Sequence, residues 1–283
     1  MEKPCRRTVA ATAVFEGVGI HTGSLSRLTV EPGPSGEGIL LSRAGDSRPP
    51  LEAHIRHADG AASDRRTVLV GPEGQRFEQF EHLMAALAAH GVSDARVTLE
   101  GLEPPFLGGG SLEYVQGLKA TGFRDDRDRP WEPLEVGAPT RVEEEGAEMV
   151  AMPSDRLLMS CFVEFPGTVV GSMGSTLEVT ATTFEEGAAA ARTFALKGDI
   201  ERLWAAGLAK GGTLENALVF DEKGYANESL HFPDEVSRHK IVDLLGDLAL
   251  IARPLRGHFW AWRAGHRAHI AFAKALVKEW ETK

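Results

Sequence analysis

The sequence predicts an α+β fold made of two similar halves, and three observations carry that prediction. Short apolar or alternating stretches separated by turn residues fill the first 75 positions and recur after residue 134, as strands do. Each half then closes on a helix, a strand, a glycine-containing turn and a second helix. Between them lies a charged stretch with two prolines, residues 124–133, which reads as a linker. The expected division is a first domain over 1–123, a linker over 124–133 and a second domain over 134–283; the repeated order suits an internal duplication and also suits any α+β chain.

Taken in order, residues 8–15 and 26–31 read as strands, and Pro32-Gly33-Pro34-Ser35-Gly36 is a turn. A helix is predicted over 80–89, then Gly91, then a strand over 95–100. After Gly108-Gly109-Gly110 a second helix opens at Ser111, a suitable N-cap, with Leu112, Val115 and Leu118 on one face. The second half gives strands over 134–142, 149–152 and 157–163 and a helix after Arg192. A long helix over 234–251 ends near Pro254. A strand over 258–263, Gly265 and a last helix over 266–280 complete the chain.

Composition excludes several classes of function. A net charge of -10 argues against a broad nucleic-acid surface, which needs clustered Lys and Arg, though it leaves room for a local basic pocket. Two cysteines, Cys5 and Cys161, build neither a disulfide framework nor a metal-type Cys spacing. The first 14 residues lack an apolar run of signal-peptide length, and no run approaches the roughly 20 apolar residues of a spanning helix. A cytoplasmic monomer with no transmembrane segment and no nucleic-acid partner is expected.

The most informative segment is Arg238-His239-Lys240-Ile241-Val242-Asp243-Leu244-Leu245-Gly246-Asp247-Leu248. Ile241, Leu244, Leu245 and Leu248 form the core stripe of a helix, while His239, Asp243 and Asp247 run down the opposite side. His and Asp at i and i+4 are neighbours on a helix surface and suit one divalent metal; they also suit an ordinary solvated face. A catalytic zinc wants a third protein ligand and an open position. His82 is the candidate, with Glu81 beside it as general base, both expected at the exposed start of their helix, where the same pair also suits an ordinary surface dipeptide. His266 opens the last helix, where its imidazole projects freely and suits either a donor to a leaving group or a plain surface residue. His54, His57 and His90 show no partner pattern, and His258 and His269 read as structural.

Together these residues resemble the zinc-dependent UDP-3-O-acyl-N-acetylglucosamine deacetylase family of lipid A biosynthesis, over nearly the whole chain. The resemblance starts at Glu16-Gly17-Val18-Gly19-Ile20-His21-Thr22-Gly23 and passes through Glu81-His82-Leu83, Gly91-Val92-Ser93-Asp94 and Ala191-Arg192-Thr193-Phe194. It continues through Gly207-Leu208-Ala209-Lys210-Gly211-Gly212-Thr213-Leu214 with Asn216, then Arg238-His239-Lys240, Gly246-Asp247-Leu248 and Gly265-His266.

The resemblance implies two α+β domains of similar topology, each a small sheet layered with helices, with the active site between them. It implies a βαβ insert in the second domain, near residues 200–220, forming a passage for a fatty acyl chain. His82, His239 and Asp243 match the family's zinc ligands, one ion per chain, although two His and one carboxylate also suit Fe2+. Glu81 matches the general base, and His266 the residue that protonates the leaving amine or stabilises charge. Asp247 matches the carboxylate that orients that imidazole. Lys240 and Thr193 match groups that steady the oxyanion and substrate. Phe194, Gly212 and Thr213 match positions that meet the sugar and the start of the acyl chain, and Ile200 opens the expected insert. The implied partner is an acylated UDP-amino sugar.

Three segments depart from the family's pattern. Pro105-Phe106-Leu107-Gly108-Gly109-Gly110-Ser111 has Gly108 where the family has aspartate. Gln79-Phe80 stands where a small hydroxyl residue and an aliphatic one are usual, and 227–232 is one residue shorter with His231 at a common Arg position. These bear on substrate contacts, so the rival readings are a paralogue deacetylating another N-acyl sugar nucleotide and a non-catalytic lipid- or nucleotide-binding relative. A binder needs no Glu81, Lys240 or His266, and a structural zinc site normally closes with four protein ligands.

Overall fold

The computed structural model describes residues 4–282; the outermost positions of the two expected domains, 1–3 and 283, lie outside the described residues. The first half contains β1 (Cys5–Val9), β2 (Ala13–Val18), β3 (Leu25–Pro32), β4 (Ile39–Arg43), β5 (Leu51–Glu52), β6 (Val68–Val70) and β7 (Arg76–Glu78). It continues with α1 (Glu81–Ala89), β8 (Ala95–Glu100), α2 (Leu112–Thr121) and β9 (Phe123–Pro130). The second half holds β10 (Leu134–Glu135), β11 (Thr140–Glu144), β12 (Ala147–Met152), β13 (Leu157–Phe165), β14 (Gly171–Glu178) and α3 (Ala181–Gly187). After these come β15 (Thr193–Leu196), α4 (Ile200–Ala205), β16 (Ala217–Phe220), α5 (Glu235–Ala249), β17 (Leu255–Trp262) and α6 (His266–Glu281).

The repeat read from element order is also a repeat of topology. The first sheet runs β2-β3-β8-β4-β5 and the second β11-β12-β17-β13-β14. In each, the last strand in sequence inserts at the centre, antiparallel to the second strand and parallel to the third. A parallel pair needs a long crossover. In both halves that crossover contains the helix preceding the central strand, α1 or α5. Strand β3 shows why the sheet forms: Leu28 and Val30 are fully buried while Arg27 and Glu31 face water, so one face meets a core and the other solvent.

Helix α2 lies on β2, α5 on β13 and β14, and α6 on β11 and β12, while α1 packs against α2 and α5. The two halves therefore meet through helices, and one continuous apolar core runs through both. Ile241, Leu244, Leu245 and Leu248 are at most 2% exposed. Burying each contributes roughly 1.5–3 kcal/mol, which is what holds α5 in place while its other side is polar.

Several predicted elements differ. The stretch 8–15 is two strands, because β1 pairs with β9 and β2 with β3, and the chain bends between the two sheets. Most of 124–133, read as a linker, is strand β9 on β1: its charged side chains are mostly exposed, which hid the pairing. The stretch 134–142 is broken at Gly137-Ala138-Pro139 into β10 and β11. A strand, not a helix, follows Arg192; the helix α4 starts only at Ile200. Strands β15 and β16 pair in parallel around α4, so the expected βαβ insert is present and begins seven residues earlier than 200. Ser111 occupies the N-cap position of α2, yet its hydroxyl donates to the His82 carbonyl (2.8 Å) rather than to its own helix.

Candidate active site

Helices α1, α5 and α6 bring seven of the predicted residues into one buried cluster. Glu81 and His82 begin α1 and are 6% and 7% exposed, so the expectation that they sit at an exposed helix start is corrected. The reason is the close approach of α5: a Cβ on Gly246 would stand 2.0 Å from the Glu81 carbonyl oxygen. His239, Asp243 and Asp247 are buried as well, so the polar strip of α5 is an internal face and not a solvated one.

His82 Nε2 lies 3.6 Å and His239 Nε2 3.3 Å from Asp243 Oδ1, and donor atoms of the three residues lie within 4.8 Å of one another. A tetrahedral ion about 2.0–2.2 Å from each donor separates neighbouring donors by about 3.3–3.6 Å, so the spacing fits a metal such as zinc. His239 Nδ1 hydrogen-bonds the Ala191 carbonyl (3.0 Å), which fixes the tautomer that leaves Nε2 free to ligate. Burial pushes the His239 imidazole down to about 4, the neutral form a metal requires.

A second group differs in kind. Asp247 Oδ2 accepts from His266 Nδ1 (2.8 Å) and from His269 Nδ1 (2.7 Å), and Thr67 donates its hydroxyl proton to Oδ1. These are hydrogen-bond lengths, shorter than ligand-to-ligand spacings around an ion. His269, read as structural, thus belongs to the cluster. Burial opposes charge on His266, but Asp247 and Asp243 outweigh it and lift the imidazolium to about 9. Against the same cost of burial, His266 and the imidazole hydrogen bonds hold Asp247 down to about 2. His266 Nε2 points at Glu81 Oε1 (4.0 Å) and Asp243 Oδ2 (3.9 Å). Burial pushes the Glu81 carboxyl up, with His266 and His82 pulling the other way. Lys240 Nζ bonds Asp243 Oδ2 at 2.8 Å; burial lowers its affinity for a proton, but Asp243 more than restores it.

Thr193, Phe194, Ile200, Gly212 and Thr213 do not join that cluster. They line an adjoining, mostly apolar cavity of about 440 Å³ between the βαβ insert and Ile20, His21 and Arg65 of the first half. Phe194 links the two, its ring 6.0 Å from that of His239. The segment carrying Thr193 is pinned by Arg192, which is buried with Glu235 (2.8 Å) and reaches the carbonyls of Leu214 and Ser229. The Gly108-Gly109-Gly110 run docks here too: Thr193 N donates to the Gly109 carbonyl (2.9 Å), and a Cβ on Gly109 would meet the Asn216 carbonyl at 1.7 Å. At Gly108, a Cβ would lie 2.2 Å from a Glu113 carboxylate oxygen, so a carboxylate already occupies the space beside it.

The profile of the UDP-3-O-acyl N-acetylglycosamine deacetylase family matches residues 6–278. The chain belongs to that family. It is 35% identical to the UDP-3-O-acyl-N-acetylglucosamine deacetylase of Myxococcus xanthus, over 97% of this chain and 87% of that one. It is 33% identical to the protein of the same name from Synechocystis sp., over 95% of this chain and 98% of the relative. The like-named protein of Geotalea uraniireducens is 33% identical over 96% and 88%. Among the described residues, no helix is long and apolar enough to cross a membrane.

Sequence reasoning missed Thr67 and the Ala191 carbonyl. Thr67 lies 180 residues from Asp247 in a loop without a motif, and a backbone carbonyl carries no residue-type signal.

Proposed function

We propose that this protein hydrolyses the N-acetyl group of UDP-3-O-acyl-N-acetylglucosamine, releasing acetate and a free sugar amine in lipid A biosynthesis. It does so in the cytoplasm with one zinc ion held by His82, His239 and Asp243. The observation that carries the reading is the buried His82–His239–Asp243 group beside Glu81 and His266, joined through Phe194 to an apolar cavity fit for an acyl chain. Family membership and the names of the relatives supply the substrate class.

Zinc bound there supplies a Lewis acid and a nucleophile effective near neutral pH. Glu81, with Oε2 towards the Thr67 amide (3.4 Å) and Oε1 towards the centre, accepts the proton that water gives up as it adds to the acetyl carbonyl. Lys240 and Thr193 steady the negative charge that collects on the carbonyl oxygen. The carbon–nitrogen bond then breaks, acetate departs, and the sugar nitrogen takes a proton from His266 Nε2 or from Glu81. Asp247, bound to the far side of the imidazole, keeps His266 charged for that delivery. Phe194, Gly212 and Thr213 meet the sugar and the first acyl carbons, and Ile200 faces the rest of the chain.

Acetate release from purified protein, measured with a chelator and again after zinc is restored, tests the reading. Turnover lost with the chelator and regained with zinc is the expected result, and substituting Fe2+ for zinc compares the two metals. Stoichiometric zinc without turnover would overturn the substrate assignment in favour of another N-acyl sugar nucleotide.

A further inference from the structure

Thr67 stands where two carboxylates from different helices converge. It precedes β6, whose hairpin partner β7 leads directly into α1, and its carbonyl accepts from Gln79 N (3.1 Å) just before that helix. Gln79 has φ 62, a left-handed conformation that turns the chain sharply into Glu81. Thr67 is therefore fixed to the entrance of α1 by its backbone, independently of α5. Its amide lies 3.4 Å from Glu81 Oε2, and its hydroxyl donates to Asp247 Oδ1.

A threonine hydroxyl has one proton. With that proton given to Asp247, Thr67 Oγ1 can only accept from His266 Nδ1, 3.3 Å away. The His266 N–H is thus shared between Asp247 Oδ2 and Thr67 Oγ1. His269 donates to the same Oδ2 from one turn further along α6, while its Nε2 has no partner. Three donors from two separate elements leave the Asp247 carboxylate no freedom to rotate. Thr67, Asp247, His266 and His269 are all buried, so water does not replace a lost partner.

We propose that Thr67 is a positioning residue for this reaction, keying Glu81 of one half to the Asp247–His266 pair of the other, with His269 closing the second oxygen of Asp247. This rests on the deacetylase reading above. Removing the hydroxyl leaves Asp247 Oδ1 unpaired, so the carboxylate turns and His266 no longer aims Nε2 at Glu81. Thr67 does not line the adjoining cavity, so ground-state binding of the substrate there is unaffected.

The test compares T67V, which keeps the side-chain shape, with T67S, which keeps the hydroxyl, and H269L with H269N, which keeps an N–H donor. A hydrogen bond to a charged group corresponds to roughly 10–100-fold in rate. T67V and H269L are expected to lose kcat by about that factor with KM and zinc content unchanged, while T67S and H269N stay near wild type. In metal-free protein, the downfield imidazole N–H resonances of His266 and His269 move in T67V and stay in T67S. Wild-type kcat with unmoved resonances in T67V overturns the proposal, as does a T67S loss equal to that of T67V. Should T67V not fold, the His269 pair decides: equal kcat in H269L and H269N overturns the assignment. A wild-type protein that releases no acetate sinks the deacetylase reading instead, and the resonances still judge the positioning.

Discussion

Gly246 of α5 lies against Glu81 of α1 so closely that a Cβ on the glycine would stand 2.0 Å from the Glu81 carbonyl oxygen. The two helices carry all three predicted metal ligands, so the contact sets the distance from His82 to His239 and Asp243. Gly246→Ala must push the backbones apart. Overpacking of this kind costs roughly 1–3 kcal/mol. A lower Tm together with weaker zinc binding is expected, measured by calorimetry and metal titration. Gly198→Ala, where an added Cβ meets nothing within 4 Å, leaves both unchanged.

Ligand and base are separable by substitution. Asp243→Ala is expected to lose zinc after dialysis. Glu81→Ala is expected to retain it and to lose turnover by roughly 10²–10⁴, the usual contribution of a general base. Metal analysis paired with acetate release reads both; full activity in metal-replete Glu81→Ala protein defeats the role given to Glu81.

The His266–Asp247 pair makes stability depend on pH with a defined sign. The folded protein raises the imidazole to about 9, above its ordinary value near 6.5. The contribution is therefore complete below about pH 6.5 and lost as pH rises through about 9. Urea unfolding of metal-free protein across that window should show the decline. Asp247→Asn should flatten it and lower the His266 midpoint followed by NMR.

The side chains of Arg192 and Glu235 are 6% and 0% exposed. Breaking such a pair on one side typically costs about 3–5 kcal/mol. Arg192→Met should destabilise by that order in denaturant melts and, because Arg192 pins the segment bearing Thr193, weaken substrate binding. Replacing Glu235 by leucine in the same protein should recover part of the stability, since no buried charge is then left alone.

Ala217 lines the cavity on β16, in register with Thr193 on β15. Ala217→Phe should shorten the space available to an acyl chain. With about 0.8 kcal/mol per methylene, excluding four methylenes raises KM for a long-chain substrate by about 200-fold. A short-chain substrate should be hydrolysed as by wild type. Equal effects on both would show that the chain does not enter there.

Helix α5 was legible because its two patterns are local. Ile241, Leu244, Leu245 and Leu248 mark one face by period alone, and His239 and Asp243 share the other because i and i+4 are adjacent on any helix. The closing helix–strand–helix of each half was legible for the same reason, and the two matching sheets bear out the repeat. Strand β9 was not, since its exposed charges imitate a linker and only β1 reveals the pairing.

By itself the sequence determined the helical faces, the pairing of Glu81 with His82, and the chemistry of the donor set. Tertiary structure alone decided that those faces are buried, that Thr67 and His269 hold Asp247, and that the Ala191 carbonyl selects the His239 tautomer. The physical reason is range. Periodicity and residue type act within one element, whereas burial and hydrogen-bond partnership are set by what another element, often far along the chain, places within about 3 Å.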